Sequence, residues 1–206
     1  MKHRMILGDT QELGTSADTL CLLHFDGNVV DATGKSTWTG TGNYSFSSDG
    51  KFGKSLAFNN SDIRSTDQSL RPTGNEWTIE WWDKKIGSIS GWLLAIESTI
   101  NIMWGVQVYW NGSFFNFQAS NGLNLNIGSP TSAWRHVAIV CHNNVVSSYV
   151  NGVLLASSTY NNTLPTFARS KIGYYGQQVS GFLIDEFRIS NVARWTSNFT
   201  PPTKPY

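Results

Sequence analysis

The sequence predicts an all-β protein in which two antiparallel sheets pack as a sandwich. Three observations predict it. Short runs rich in Val, Ile, Trp, Tyr and Phe recur, with turn residues every 8–12 positions. Asn-Gly pairs at 111–112 and 151–152 separate such runs, and Asn-Gly supplies the positive φ angles of a tight type I′ hairpin turn. No stretch of ten or more residues places apolar side chains at helical spacing.

The elements follow in order. Thr19–Phe25 reads as a strand that stops at the turn cluster Asp26-Gly27-Asn28, and Asp31-Ala-Thr-Gly34 is a second turn. Residues 38–48 mix Gly, Thr and aromatics, as short strands and loops do. Ser55–Phe58 is a short strand, and a second begins at Ile63. In Trp77-Thr-Ile-Glu-Trp-Trp82, alternation puts Trp77, Ile79 and Trp81 on one face and Thr78, Glu80 and Trp82 on the other. Trp92–Ile96, Trp104–Trp110 and Ser113–Phe117 follow. Trp134–His142 is a long core strand, and Ser147–Ala156 a hairpin about Asn151-Gly152. Lys171–Tyr175 and Phe182–Ile189 complete the set, and the first and last strands are expected to be neighbours. The best helical candidate is a single turn near Asn191–Arg194. Residues 1–17 read as an arm, 18–197 as one sandwich domain, and 198–206, with three of the six prolines, as an extended tail. The arm and tail are expected to cross a sheet edge, to reach a neighbouring subunit, or to hang free.

Composition excludes some functions. The chain has nine Trp, eleven Phe and seven Tyr, but only 14% charged residues and a net charge of +1. No field of that size recruits nucleic acid or anionic lipid. No apolar run approaches the ~20 residues of a membrane-spanning helix. Near the start, Met5-Ile-Leu7 is too short for the core of a secretory signal, so the five Asn-x-Ser/Thr sequons are read as products of composition. Cys21 and Cys141 each sit in an apolar run; two buried free thiols or one bridge between strands both fit.

The spacing of the carboxylates does not make a hydrolytic pair. Glu80 and Asp83 are three apart, and Asp185 and Glu186 are adjacent, so in a regular strand each pair points to opposite faces. His24, His136 and His142 are expected to be hydrogen-bonded packing residues. Trp77, Trp81 and Trp134 are expected in the core. Candidate ligand-contacting aromatics lie near turns: Trp38, Trp104, Trp110, Tyr174 and Tyr175, with Tyr44 beside them. Asn101, Asn111, Asn121 and Gln177 are candidate polar partners, although most of these aromatics fit a sandwich core equally well.

An ordered set of short motifs resembles a known family. It runs Leu23-His-Phe-Asp26-Gly27, Asp31-Ala-Thr-Gly34, Gly53-Lys-Ser-Leu-Ala-Phe58 and Trp77-Thr-Ile-Glu-Trp81. It continues with Trp134-Arg-His-Val-Ala138, Tyr149-Val-Asn-Gly152, Lys171-Ile-Gly173 and Ile184-Asp-Glu-Phe-Arg-Ile189. Over about residues 18–200 this is similar to the laminin G-like branch of the concanavalin A-like lectin/glucanase superfamily. The resemblance implies a jelly-roll sandwich of two curved sheets, a structural Ca2+, and glycan or protein binding by loops or a concave face. Asp26 and Asp185 match positions that lie together in the family, and Asn28 and Asp31 stand close enough in sequence to add oxygens. Turn capping by Asp26 and Asp31 is the competing expectation. Residues 185–202 also resemble versions in tailed-phage virion proteins. The functional expectation is therefore a non-catalytic adhesion domain of a virion (tail fibre, receptor-binding or capsid decoration). Its partners would be a glycan or cell-surface receptor, other virion proteins and further copies of itself. The alternatives are a structural subunit making protein contacts and a bacterial carbohydrate-binding module.

Overall fold

The structure is a computed structural model, and it describes residues 16–98, 105–119, 122–173 and 180–206. Thirteen strands make up nearly all of its regular structure: β1 (Thr19–Leu23), β2 (Thr39–Ser47), β3 (Ser55–Ser65), β4 (Trp77–Ser90), β5 (Trp92–Glu97), β6 (Val106–Trp110) and β7 (Phe115–Ala119), then β8 (Leu123–Asn126), β9 (Arg135–His142), β10 (Val145–Val150), β11 (Val153–Thr159), β12 (Arg169–Gly173) and β13 (Ser180–Ser190). The arm predicted over 1–17 lies almost wholly outside the described residues.

Every ladder is antiparallel. One layer runs β11-β10-β9-β4-β13, with β1 on the far side of β13. The other runs β3-β12-β5-β6-β7-β8, with β2 beside β3. β13 joins the layers, because Leu183 and Ile184 also pair with Ala57 and Leu56 of β3. β1 pairs with β13, Leu23 opposite Phe187, so the two ends of the sequence meet as the motifs implied.

The inward residues of both layers form one core. Trp77, Ile79 and Trp81 of β4 face it as alternation predicts, against Val137, Ile139 and Cys141 of β9 and Phe115 and Phe117 of β7. Trp134 departs from expectation: it is only partly buried, and its indole Nε1 points 3.3 Å to Asp49 Oδ1. Cys21 and Cys141 are buried and unbridged, and burial pushes the Cys141 thiol up to about 11, so neither is poised to react.

The strand estimates were short in two places. Ser55–Phe58 and Ile63 belong to one eleven-residue strand, kinked where Asn60 takes φ 53°. The turns also differ. Asn151 and Gly152 both take positive φ, as a type I′ turn requires. At 111–114 only Gly112 does, and the Asn111 side chain accepts the N–H groups of Ser113 and Phe114 instead. Asn143-Asn144, with φ 50° and 63°, forms a turn that its sequence did not announce. The single turn expected at Asn191–Arg194 is a pair of bends; among the described residues the helical turn is a 3-10 one at Gln68–Leu70.

The outer face of the β9-β4-β13 layer is also buried, which alternation did not foresee. The C-terminal segment crosses it. Ala193, Trp195 and Phe199 pack on Ala138, Val140 and Tyr149, with the Trp195 and Phe199 rings stacked 3.9 Å apart. Phe199 N–H donates to Gly152 O at 2.8 Å, and a Cβ at Gly152 would meet Phe199 O at 1.8 Å, so only glycine admits the segment there. Beneath it lies an ionic network. Arg188 donates to Glu80 Oε1 at 2.9 Å, and Trp195 Nε1 donates to Glu80 Oε2 at 2.8 Å. His136 Nε2 lies 2.7 Å from the Tyr206 hydroxyl, and the Arg188 guanidinium sits 3.6 Å from the Tyr206 ring centroid. Burial favours a neutral Glu80, but the Arg188 charge and the His136 and Trp195 contacts outweigh it and hold the carboxyl well below the usual range.

Glu80→Gln would leave the Arg188 charge buried beside a neutral amide, which costs about 3–5 kcal/mol. A carboxyl with a depressed folded-state pKa stabilises above its unfolded pKa and loses that stabilisation as pH falls through the folded value. Denaturant titrations should therefore show a constant gap between wild type and Glu80→Gln from pH 7 down to about 4, set by the unfolded Glu pKa. The gap should narrow below that; a gap that closes already by pH 6 would contradict the assignment.

Candidate functional site

Two regions bear on function, and the sequence motifs lead to the first. The loop between β2 and β3 folds onto two carboxylates. Lys51 and Phe52 donate backbone N–H groups to Asp185 Oδ2 at 2.8 and 3.0 Å, and Lys54 N–H donates to Asp26 Oδ1 at 2.7 Å. Gly53 takes φ 71°, and a Cβ there would meet Asp26 Oδ1 at 2.2 Å, so this close approach needs glycine. One loop thus binds the turn after β1 to the closing strand.

Asp185 and Glu186 do not point to opposite faces, contrary to regular alternation. The β13–β4 register shifts between Asp185 and Arg188, and Glu186 takes φ 51°. Ile184 and Phe187 both enter the core, so the two carboxylates between them lie off it, as a β-bulge allows. Glu186 Oε1 sits 2.8 Å from His24 Nδ1, and that hydrogen bond raises the imidazole's pKa. Asp185 is fully buried, its Oδ1 has no hydrogen-bond partner, and burial pushes its carboxyl up to about 8.

The proposed metal ligands therefore separate. Asp185 and Asp26 both accept backbone N–H groups of the β2–β3 loop. Asp31 is a turn organiser: Oδ1 accepts Leu22 N–H and Thr33 N–H, and Oδ2 accepts Ser36 N–H and its hydroxyl. Asn28 Oδ1 accepts Val30 N–H at 3.0 Å. Among the described residues no three His, Cys, Asp or Glu side chains converge as a metal cage.

The predicted ligand-contacting aromatics also divide. Trp38 is a correction: it is 6% exposed, belongs to the core and donates its indole N–H to Ser36 Oγ, so it offers no ring face to a ligand. Trp110 is only partly buried but packs on the core, 5.4 Å from the Phe115 ring, because it shares the inward parity of Val106 and Val108. Tyr44 likewise packs against the core. Trp104, Tyr174 and Tyr175, with Asn101, Asn121 and Gln177, lie outside the described residues.

The second region went unread in the sequence. On the outer face of the β3-β12-β5-β6-β7-β8 layer, cross-strand pairing aligns Arg64, Lys171, Ala95, Gln107, Gln118 and Asn124 in one row. Gln107 donates to Gln118 Oε1 at 2.6 Å, and Gln118 Nε2 donates to the Tyr109 hydroxyl at 3.3 Å. Tyr109 pairs with Trp92 on one side and Asn116 on the other, which sets two partly exposed rings beside the amides. Gln107, Gln118 and Asn124 line a depression of about 280 Å³ with Gly105, Ala119, Gly122 and Leu123. The available signal was the polar half of the alternation, Gln107/Tyr109, Asn116/Gln118 and Asn124/Asn126, in three successive strands. Such a surface pairs hydroxyl-reading amides with apolar ring faces. The carboxylates Glu80 and Asp83 are not available to it: Asp83 binds Arg135 at 2.6 Å on the core side, and Glu80 is under the C-terminal segment.

Comparison with known proteins agrees with this architecture. Domain 4 of AbnA, a GH43 extracellular arabinanase from Geobacillus stearothermophilus, in complex with arabinotriose, has a similar fold (TM-score 0.66, 24% identity, 85% of this chain and 93% of that one). The botulinum neurotoxin type G receptor-binding domain is also similar (TM-score 0.64, 14% identity, 86% of this chain and 48% of that one). So is the binding domain of botulinum neurotoxin DC, in a complex with rat synaptotagmin II (TM-score 0.65, 13% identity, 85% and 48%). The chain spans about half the length of these toxin domains. A comparison with curated proteins gave no match. The laminin G family model described as the concanavalin A-like lectin/glucanases superfamily matches residues 57–197. With more than half of its residues matched, the chain belongs to the laminin G family of the concanavalin A-like lectin/glucanases superfamily.

Proposed function

We propose that this domain is a non-catalytic glycan-binding module working through the open outer face of β5–β8. One observation carries the reading. Among the described residues, the C-terminal segment covers one outer face, and the other carries a row of amides beside Trp92 and Tyr109. The arabinotriose complex of AbnA domain 4 supports a saccharide as the ligand class, and the synaptotagmin complex supports a receptor as its wider context. The setting we infer is attachment or decoration on a virion, supported by the resemblance of residues 185–202 to tailed-phage virion proteins.

Gln118→Ala removes two amide contacts from the centre of the depression without touching the core. Glycan-array binding followed by calorimetry should show a loss of about tenfold or more, the effect of losing one to two kcal/mol, with the melting temperature unchanged. Undiminished binding would move the site away from this face.

We propose calcium as a structural ion at the loop that joins the ends of the chain. Asp185 Oδ1, buried and without a hydrogen-bond partner, and the Asp26 carboxylate bound to the same loop would hold the ion, with backbone carbonyls and water completing its six to eight oxygens. Bound there, calcium would cancel the cost of a buried carboxylate and tie β1 to β13. The expected outcome is a higher melting temperature in calcium than in EDTA, with the difference abolished in Asp185→Asn; equal values in wild type would end the calcium reading.

A second reading, a subunit making protein contacts in an assembly, is favoured by the edge strand β11. It pairs only with β10 and exposes Val153, Leu154 and Leu155, 47–59% accessible. No charged residue lies between 143 and 168 to block edge pairing. If this edge joins copies, light scattering after size exclusion will show an oligomer that Leu154→Lys converts to monomer.

A further inference from the structure

The outer face that carries the amides also decides which saccharides it can accept. We infer that the ligand of this site is a neutral glycan segment, and that terminal sialic acid or a uronic acid at the amide depression is excluded; this rests on the glycan-binding reading above.

The depression is lined by Gly105, Gln107, Gln118, Ala119, Gly122, Leu123 and Asn124, none of them charged. Side-chain amides offer both donors and acceptors, which match sugar hydroxyls, and bring no net charge to a carboxylate. Among the described residues, the cations of this row are already held. Lys171 Nζ lies 3.0 Å from Glu97 Oε1, and Arg169 Nε donates to Glu97 Oε2 at 2.9 Å. Arg64 Nη2 reaches both oxygens of Asp62 at 2.8 and 3.0 Å, as well as the Thr41 hydroxyl. Glu97 and Asp62 are almost fully buried, so these pairs are fixed rather than swinging into solvent. In the cross-strand row, Lys171 stands two strands from Gln107 with Ala95 between them. At the usual strand spacing the two backbones are about 10 Å apart. A carboxylate docked on Gln107, Gln118 and Asn124 would lose water and meet only neutral amides in the depression. A hydroxyl docked there loses nothing of the kind.

The experiment measures matched pairs by calorimetry. The probes are lactose-terminated chains with and without sialic acid, and neutral arabinan oligosaccharides against oligogalacturonate. The expected result is binding to one or more neutral members, at least tenfold weaker binding to the acidic partner, and an affinity for the neutral member that is flat from 50 to 500 mM NaCl. Equal or tighter binding of an acidic member, or affinity falling steeply with salt, overturns the neutral-ligand inference while leaving the glycan reading intact. Binding to none of the probes by folded protein, judged by an unchanged melting transition, overturns the glycan reading itself. Gln118→Arg supplies the missing charge and should narrow the neutral-over-acidic preference; if it weakens both members equally, the discrimination does not reside at this depression.

Discussion

The buried ion pair between Glu80 and Arg188 constrains much of the rest of the molecule. These residues stand opposite each other on the two central strands of one layer, on the face away from the core. An ion pair on an exposed sheet face would be weak. Here it is removed from water, and the C-terminal segment covers it: the Trp195 indole donates to Glu80, the Tyr206 ring lies over the Arg188 guanidinium, the Tyr206 hydroxyl meets His136, and Phe199 packs on Tyr149. Residues that read as a tail are therefore a third layer of the fold. Gly152 is part of the same device, since the segment passes where its side chain would be.

That arrangement bears on where a partner can bind. A two-layer sandwich presents two outer faces. Covering one with the chain's own aromatics leaves the other, and there the exposed half of the alternation in β6, β7 and β8 is built from Gln, Asn and Tyr rather than from charge. Hydrogen bonds among Gln107, Gln118 and Tyr109 hold the amides in one orientation before any ligand arrives, which reduces the ordering cost of binding. The ion pairs of Glu97 and Asp62 stiffen the adjoining strands while withholding their charges from the depression.

The carboxylates near the ends of the chain show how one bulge changes chemistry. Without it, Asp185 and Glu186 would face opposite ways. With it, Glu186 reaches His24 and the Tyr206 backbone N–H, while Asp185 reaches the β2–β3 loop. The loop, the first turn and the closing strand become one locus, in which one buried oxygen of Asp185 has no hydrogen-bond partner.

By itself the sequence determined the fold class, the inward stripe of β4 and the neighbouring of its two ends. Those follow from local rules: period-two alternation, the positive φ available to Asn-Gly, and the fact that each motif spans a few residues of one strand. The candidate face was half legible, since the alternating amides are visible in the sequence but the row from Arg64 to Asn124 exists only after six strands come into register. Trp38 and Trp110 were misplaced because proximity to a turn does not say which way a ring points; parity and packing do. Tertiary structure alone decided that Asp31 serves its own turn, that Asp185 and Glu186 share a side, and that the last residues seal a sheet face. The last two depend on contacts between segments far apart in the chain, which no local pattern of side chains encodes; Asp31 bonds mainly within its own turn, one of the two expectations the sequence left open.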